Sequence, residues 1–143
     1  MSMSEFFQGR SNRVGRKFEQ RSKYGLTGYG PLVAERVWVG DKLVEVDLEF
    51  ENAYVFAKGG ENDRPGLRRT DNTKKCIADV SMLKSLIDGG KIEDKAIVVT
   101  TTAIPTNAMG AAYKQYQFLS GLVDAIVVFD DWKADGDHSN EPQ

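Results

Sequence analysis

The chain has 143 residues, 41% of them apolar, and a net charge of −2, which suits one domain with a real core and gives no whole-molecule attraction to nucleic acid, an acidic substrate or a membrane surface. A single cysteine, Cys76, and a single histidine, His138, in the polar tail "ADGDHSNEPQ" exclude an internal disulfide and a cysteine-based metal site, and argue against a Ser-His or Cys-His nucleophile. No run approaches the roughly 20 apolar residues of a membrane span, and the N-terminus lacks the apolar core of a signal peptide, so a cytoplasmic protein without a membrane partner is expected.

In chain order, Ser11 to Tyr24 has Val14 and Phe18 four apart among polar residues, the spacing of a narrow apolar helical stripe. "GLTGYGP" ends that helix in a loop. "LVAERVWVGDKLVEVDLEF" predicts two strands around the turn Gly40-Asp41. That turn would pair Val39 with Lys42, Val37 with Val44, Glu35 with Val46 and Arg36 with Glu45. A further tight turn at Glu51-Asn52 would lead into "AYVFAK" as a third strand, with Lys58 opposite Glu45.

"GGENDRPGLRRTDNTK" is polar and basic, as an exposed, mobile loop would be. "KKCIADVSMLKSLIDGG" places Ile77, Val80, Leu83, Leu86 and Ile87 at helical spacing and ends in a glycine pair. "KAIVVTT" predicts a buried strand, "TNAMGAAYKQYQFLSGL" a helix and "VDAIVVFDD" another buried strand. The expected fold is therefore α/β, a mixed sheet flanked by helices in the order α-β-β-β-α-β-α-β. Residues 1–132 form one domain and residues 133–143 a polar tail expected to be disordered.

Two patterns carry chemistry. The alternation "VEVDLEFE" puts Glu45, Asp47, Glu49 and Glu51 on one strand face, roughly 7 Å apart. Such a row is either a solvated face, neutralised by Arg36 and Lys58, or a hard-cation site, since magnesium takes one or two carboxylates plus waters and phosphates. The second pattern is basic. Arg13, Arg16, Lys17 and Arg21 lie about one helical turn apart, and Arg68, Arg69, Lys74 and Lys75 fall in or beside the basic loop, as phosphate-binding surfaces or as ordinary charged surface. Tyr113, Tyr116 and Phe118 suit core packing or a subunit contact. Thr100 to Thr102 with Thr106-Asn107 suit a strand end and a helix cap, or a small-molecule site.

The order of elements and these motifs resemble the PD-(D/E)xK nuclease superfamily, whose core is a helix, a three-strand meander, a helix and a further strand. Glu19 in "GRKFEQR" matches the glutamate often found on the first helix. "EVDLEF" is similar to the E-x-E variant of some type II restriction endonucleases, as is "ADVSMLKSLIDGGKIEDKAIVVTT" to their helix leading into a threonine-ended strand. The resemblance implies a restriction-endonuclease-like fold and a metal-dependent endonuclease, acting on DNA more than RNA and often homodimeric. Asp47 and Glu49 would hold magnesium or manganese, with Glu35, Glu45 and Lys58 completing the catalytic set. Three positions depart from the family pattern. Glu35 is the nearest counterpart of the upstream aspartate, Lys58 stands on the third strand, and Phe56 occupies the place of the acid in (D/E)-x-K. A non-catalytic adaptor, binding nucleic acid or protein on the same scaffold, is the alternative these departures support.

Overall fold

The computed structural model describes residues 16–59 and 66–129. Arg13, Arg64, His138 and the tail lie outside the described residues. The first helix, α1 (residues 16–25), is followed by β1 (Leu32–Val39), β2 (Val44–Phe50), β3 (Ala53–Lys58), α2 (Thr70–Asp88), β4 (Ala96–Thr101), α3 (Ala111–Leu122) and β5 (Ala125–Val128). The strands form one mixed sheet in that same spatial order. β1 to β3 are an antiparallel meander, while β4 and β5 are parallel to β3, each reached through a helix, as parallel crossovers require. Among the described residues no helix is long and apolar enough to cross a membrane.

The sheet is covered on both faces. Val44, Val46, Tyr54, Phe56, Ile97 and Val99 pack with Cys76, Val80, Leu83 and Leu86 of α2 and Leu119 of α3. On the other side Leu48, Phe50, Val55 and Val98 pack with Leu26, and Phe18 of α1 meets Phe129 edge to face at 6.1 Å. A buried hydroxyl pair, Ser22 Oγ and Thr100 Oγ1 at 2.7 Å, fastens α1 to β4. α2 ends at the glycine pair as its sequence predicts: Gly90 takes φ +68°, and Lys91 N–H returns to Leu86 C=O at 2.9 Å.

Three expectations need correction. The β1–β2 connection is longer than two residues. Gly40, Asp41 and Lys42 all adopt left-handed φ, Leu43 N–H bonds Val39 C=O at 3.1 Å, and the register becomes Val39↔Val44, Val37↔Val46 and Trp38↔Glu45. Excluding Lys42 from the ladder lets four valines meet under α2. The basic segment is also more ordered than expected after residue 65. Gly66–Arg68 is a 3₁₀ turn with Leu67 fully buried, and α2 begins at Thr70, so Lys74 and Lys75 are helical. Finally, α3 starts at Ala111 rather than Thr106, because Asn107 Oδ1 accepts Met109 N–H at 3.1 Å and holds a turn there. The Glu51-Asn52 turn is as predicted, flanked by the pair Phe50↔Ala53.

Candidate functional site

β2 and β3 pair regularly only through Leu48↔Val55, Glu49↔Tyr54 and Phe50↔Ala53, although both strands run further. Beyond that point the Asp47 carboxylate takes over from the backbone, its Oδ2 accepting Ala57 N–H at 2.8 Å. Val44 and Val46 belong to the α2-side core while Leu48 and Phe50 belong to the opposite one, so β2 changes sides at Asp47. β1 is irregular at the same level. Its burial alternation slips between Glu35 and Arg36, and Arg36 has φ +51°, a conformation that a non-glycine residue rarely adopts and that concentrates at functional sites. The meander opens into a fork centred on Asp47.

Six charged groups meet there: Asp47, Glu45, Lys58, Asp79, Glu19 and Arg36. Burial pushes the Asp47 carboxyl above its ordinary range, the Ala57 N–H and the Lys58 charge pull it back, and the charges of Asp79 and Glu45 raise it further. Lys58 Nζ lies 3.6 Å from Asp79 Oδ2 of α2. Glu19 of α1 is also raised, first by burial and then by the charge of Asp47, while Arg36 opposes both. Arg36 donates from Nε and Nη2 to Glu19 Oε2 at 3.2 and 3.1 Å. α1 and α2, on opposite faces of the sheet, thus each bring a carboxylate to the fork. Cys76 lies close by, but its thiol is pushed up to about 12, chiefly by burial, so it is no nucleophile.

The other predicted residues divide. Glu45 stands near Asp47, across from Trp38. Glu35 pairs with Lys23 of α1 at 3.6 Å. Glu49 is drawn elsewhere: its Oε2 accepts from Lys95 Nζ at 2.5 Å, and Lys95 also bonds Phe50 C=O. The pair Asp47 and Glu49 is therefore separated in its partners. Phe56, in the place of the family acid, is fully in the core. Asp79 went unnoticed in sequence because it sits within a helix; its signal was a carboxylate one turn after Lys75 on the helix that crosses over β3.

Of the basic residues, Arg16, Lys17, Arg68, Lys74 and Lys75 are exposed and Arg69 partly so, while Arg21 stacks over the Phe129 ring at 4.1 Å. Thr100 and Thr101 are buried, the latter donating to Lys58 C=O at 2.9 Å and accepting Leu67 N–H at 3.1 Å; they brace the strand end beside the fork. Tyr116 packs on the core, its ring 6.2 Å from that of Tyr113, and Phe118 is 60% exposed.

Asp47, Glu19 and Asp79 are hard oxygen donors of the kind magnesium and manganese take. Among the described residues no three His, Cys, Asp or Glu side chains are grouped so that they could hold a metal ion. An open set of one or two carboxylates is the arrangement magnesium uses when substrate phosphates and waters complete its shell. No family model matches the chain, and no curated protein or solved structure matches it. What the fold and site define is an α/β protein with a five-stranded mixed sheet and a half-buried carboxylate at the opening of its meander.

Proposed function

We propose that the chain is a metal-dependent nucleic-acid phosphodiesterase, acting on DNA more than RNA, on a PD-(D/E)xK type core. The observation that carries this reading is the position of Asp47, a half-buried carboxylate that accepts Ala57 N–H where the meander opens, with Lys58, Asp79 and Glu19 close enough to act on its charge. Burying a carboxylate without full neutralisation is costly, and a site that binds a cation recovers that cost.

Asp47 is the central metal ligand, its shell completed by waters and substrate phosphates, while Asp79 and Glu19 are engaged by Lys58 and Arg36. Asp79 supplies from α2 the acid that Phe56 does not supply from β3. A bound divalent cation lowers the pKa of its water and offsets charge at the phosphate. Lys58 neutralises the carboxylates and presents a positive charge toward the incoming phosphate. Lys75, one turn from Asp79, with Lys74 and Arg68, offers a phosphate-contacting surface on one side, and Arg16 with Lys17 offers another on α1.

The burial of Phe56 also favours a second reading, an adaptor that binds nucleic acid or protein without cutting. Cleavage of supercoiled plasmid and of short DNA and RNA duplexes with magnesium or manganese separates the two. The nuclease reading expects metal-dependent cutting that Asp47→Asn abolishes and Asp79→Asn weakens at least tenfold. Absence of cutting, together with salt-dependent DNA binding that persists in chelator, supports the adaptor instead.

A further inference from the structure

Away from the fork, the end of α1, the loop after it and the first two strands enclose a cavity of about 530 Å³ that opens to solvent, a size within the roughly 300–1,000 Å³ of small-ligand sites. Its wall is fixed before any ligand arrives. Gly30 takes φ +84°, and a Cβ there would meet Glu51 Oε2 at 2.9 Å, so the loop runs hard against the β2–β3 turn. Two backbone bonds hold it there, Asn52 N–H to Tyr29 C=O at 3.0 Å and Glu51 N–H to Pro31 C=O at 2.9 Å. Leu32 and Phe50, paired across β1 and β2, give the cavity an apolar floor, and Tyr24 adds an aromatic wall. Among the described residues that line it, only Lys23 is charged. The Lys23 ammonium lies 5.7 Å from the centroid of the Tyr24 ring and 3.6 Å from Glu35 Oε1. With 27% and 43% of their side chains exposed, Lys23 and Glu35 form a weak pair that an incoming anion can replace.

We propose that this cavity binds one nucleotide, its base against Tyr24 over the floor of Leu32 and Phe50 and its phosphate on Lys23 in place of Glu35. An apolar floor with an aromatic wall takes a flat ring, since every base has a face that stacks, and a single cation at its side takes the charge that the ring carries. The helix adds a path for a strand. Arg16 and Gln20 are exposed and precede Lys23 by seven and three residues, so one face of α1 leads away from the cavity for about 10 Å. That length leaves room for the next phosphate. The cavity therefore suits an unpaired base, already single-stranded or turned out of a duplex. Such binding requires neither metal nor cutting.

The test is calorimetric titration, in chelator, of AMP, adenosine and ribose 5-phosphate into the full chain as wild type, Lys23→Met, Tyr24→Leu and Tyr24→Phe. The expected result for wild type is saturable AMP binding, adenosine about fivefold weaker for want of the contact with Lys23, and no binding of ribose 5-phosphate, which has no base. Lys23→Met should bind AMP and adenosine equally. Tyr24→Leu should bind AMP about tenfold more weakly, while Tyr24→Phe, which keeps the ring and the packing, should bind it as wild type does. No AMP binding by wild type at millimolar concentration overturns the proposal. So does ribose 5-phosphate binding as tightly as AMP, or AMP affinity unchanged in both Lys23→Met and Tyr24→Leu. Indole-3-acetate binding more tightly than AMP overturns the nucleotide and assigns the cavity to an aromatic carboxylate.

Discussion

Replacing Lys58 by methionine tests whether Asp47, Lys58 and Asp79 act as one electrostatic unit. Lys58 and Asp79 are 3.6 Å apart, with 19% and 30% of their side chains exposed. At an effective dielectric near 20 the gross attraction at that distance is roughly 4–5 kcal/mol, most of it offset by desolvation. Breaking exposed pairs costs up to about 1 kcal/mol and breaking buried ones about 3–5, so this intermediate pair predicts a loss of about 2 kcal/mol. For a chain of this length that lowers Tm by roughly 6–8 °C. The pH dependence has a definite sign. Asp47 titrates above its unfolded value because of burial, and the Lys58 charge restrains that rise. Without Lys58 the ionised carboxylate is held at greater cost, a cost absent below about pH 3.8 and incurred as pH rises through the folded value. Urea unfolding of wild type and Lys58→Met at pH 7.5 and pH 3.5 should therefore show the 2 kcal/mol deficit shrinking at the lower pH. Adding Asp79→Asn should recover part of it at pH 7.5. An equal deficit at both pH values would show that Lys58 acts through the packing of its stem, and no deficit at pH 7.5 would refute the electrostatic unit.

Three further predictions follow the same logic. Lys95→Met, which removes a lysine side chain only 6% exposed and leaves Glu49, 17% exposed, without it, should cost about 3 kcal/mol in urea unfolding. The double variant with Glu49→Gln should recover most of that, and an equally unstable double variant contradicts a neutralising role for Lys95. Ser22→Ala and Thr100→Val should each cost about 1–2 kcal/mol by leaving the partner hydroxyl without its bond, and their sum should exceed the double variant by about 1 kcal/mol; simple additivity refutes the pairing of α1 with β4. Asp47→Asn should stabilise the metal-free protein at pH 7.5, because burial disfavours the charge that asparagine lacks, and this gain should fade as pH falls below the folded value of Asp47; a variant less stable than wild type at pH 7.5 contradicts it.

The periodic elements were legible because their cause is local. The 3–4 spacing of Val80, Leu83 and Leu86 and the continuous apolar run of β4 each place side chains on faces that the structure then buries. The alternation of β2 marks the strand but not one face, since Val44 and Val46 are buried on one side of the sheet and Leu48 and Phe50 on the other, which breaks the expected acidic row at Asp47. The fork was not legible, because it depends on register. Three consecutive left-handed residues at the β1–β2 turn, only one of them glycine, shift the pairing by two and leave Arg36 level with Asp47. A turn with lysine at positive φ has no strong sequence signal. The strand pattern alone brought Asp47 and Lys58 into view, as an acid of the row and as a neutralising neighbour. Asp79 and the hold of Arg36 on Glu19 were not visible in it, since both come from helices packed on opposite faces of the sheet, which no spacing along the chain encodes.

The central claim is that Asp47 anchors a divalent cation at the opening of the meander. Calorimetric titration of magnesium chloride into wild type and Asp47→Asn at neutral pH tests it most directly. The account predicts saturable binding by wild type and none by Asp47→Asn. Equal binding by both, or no binding by wild type, would contradict it.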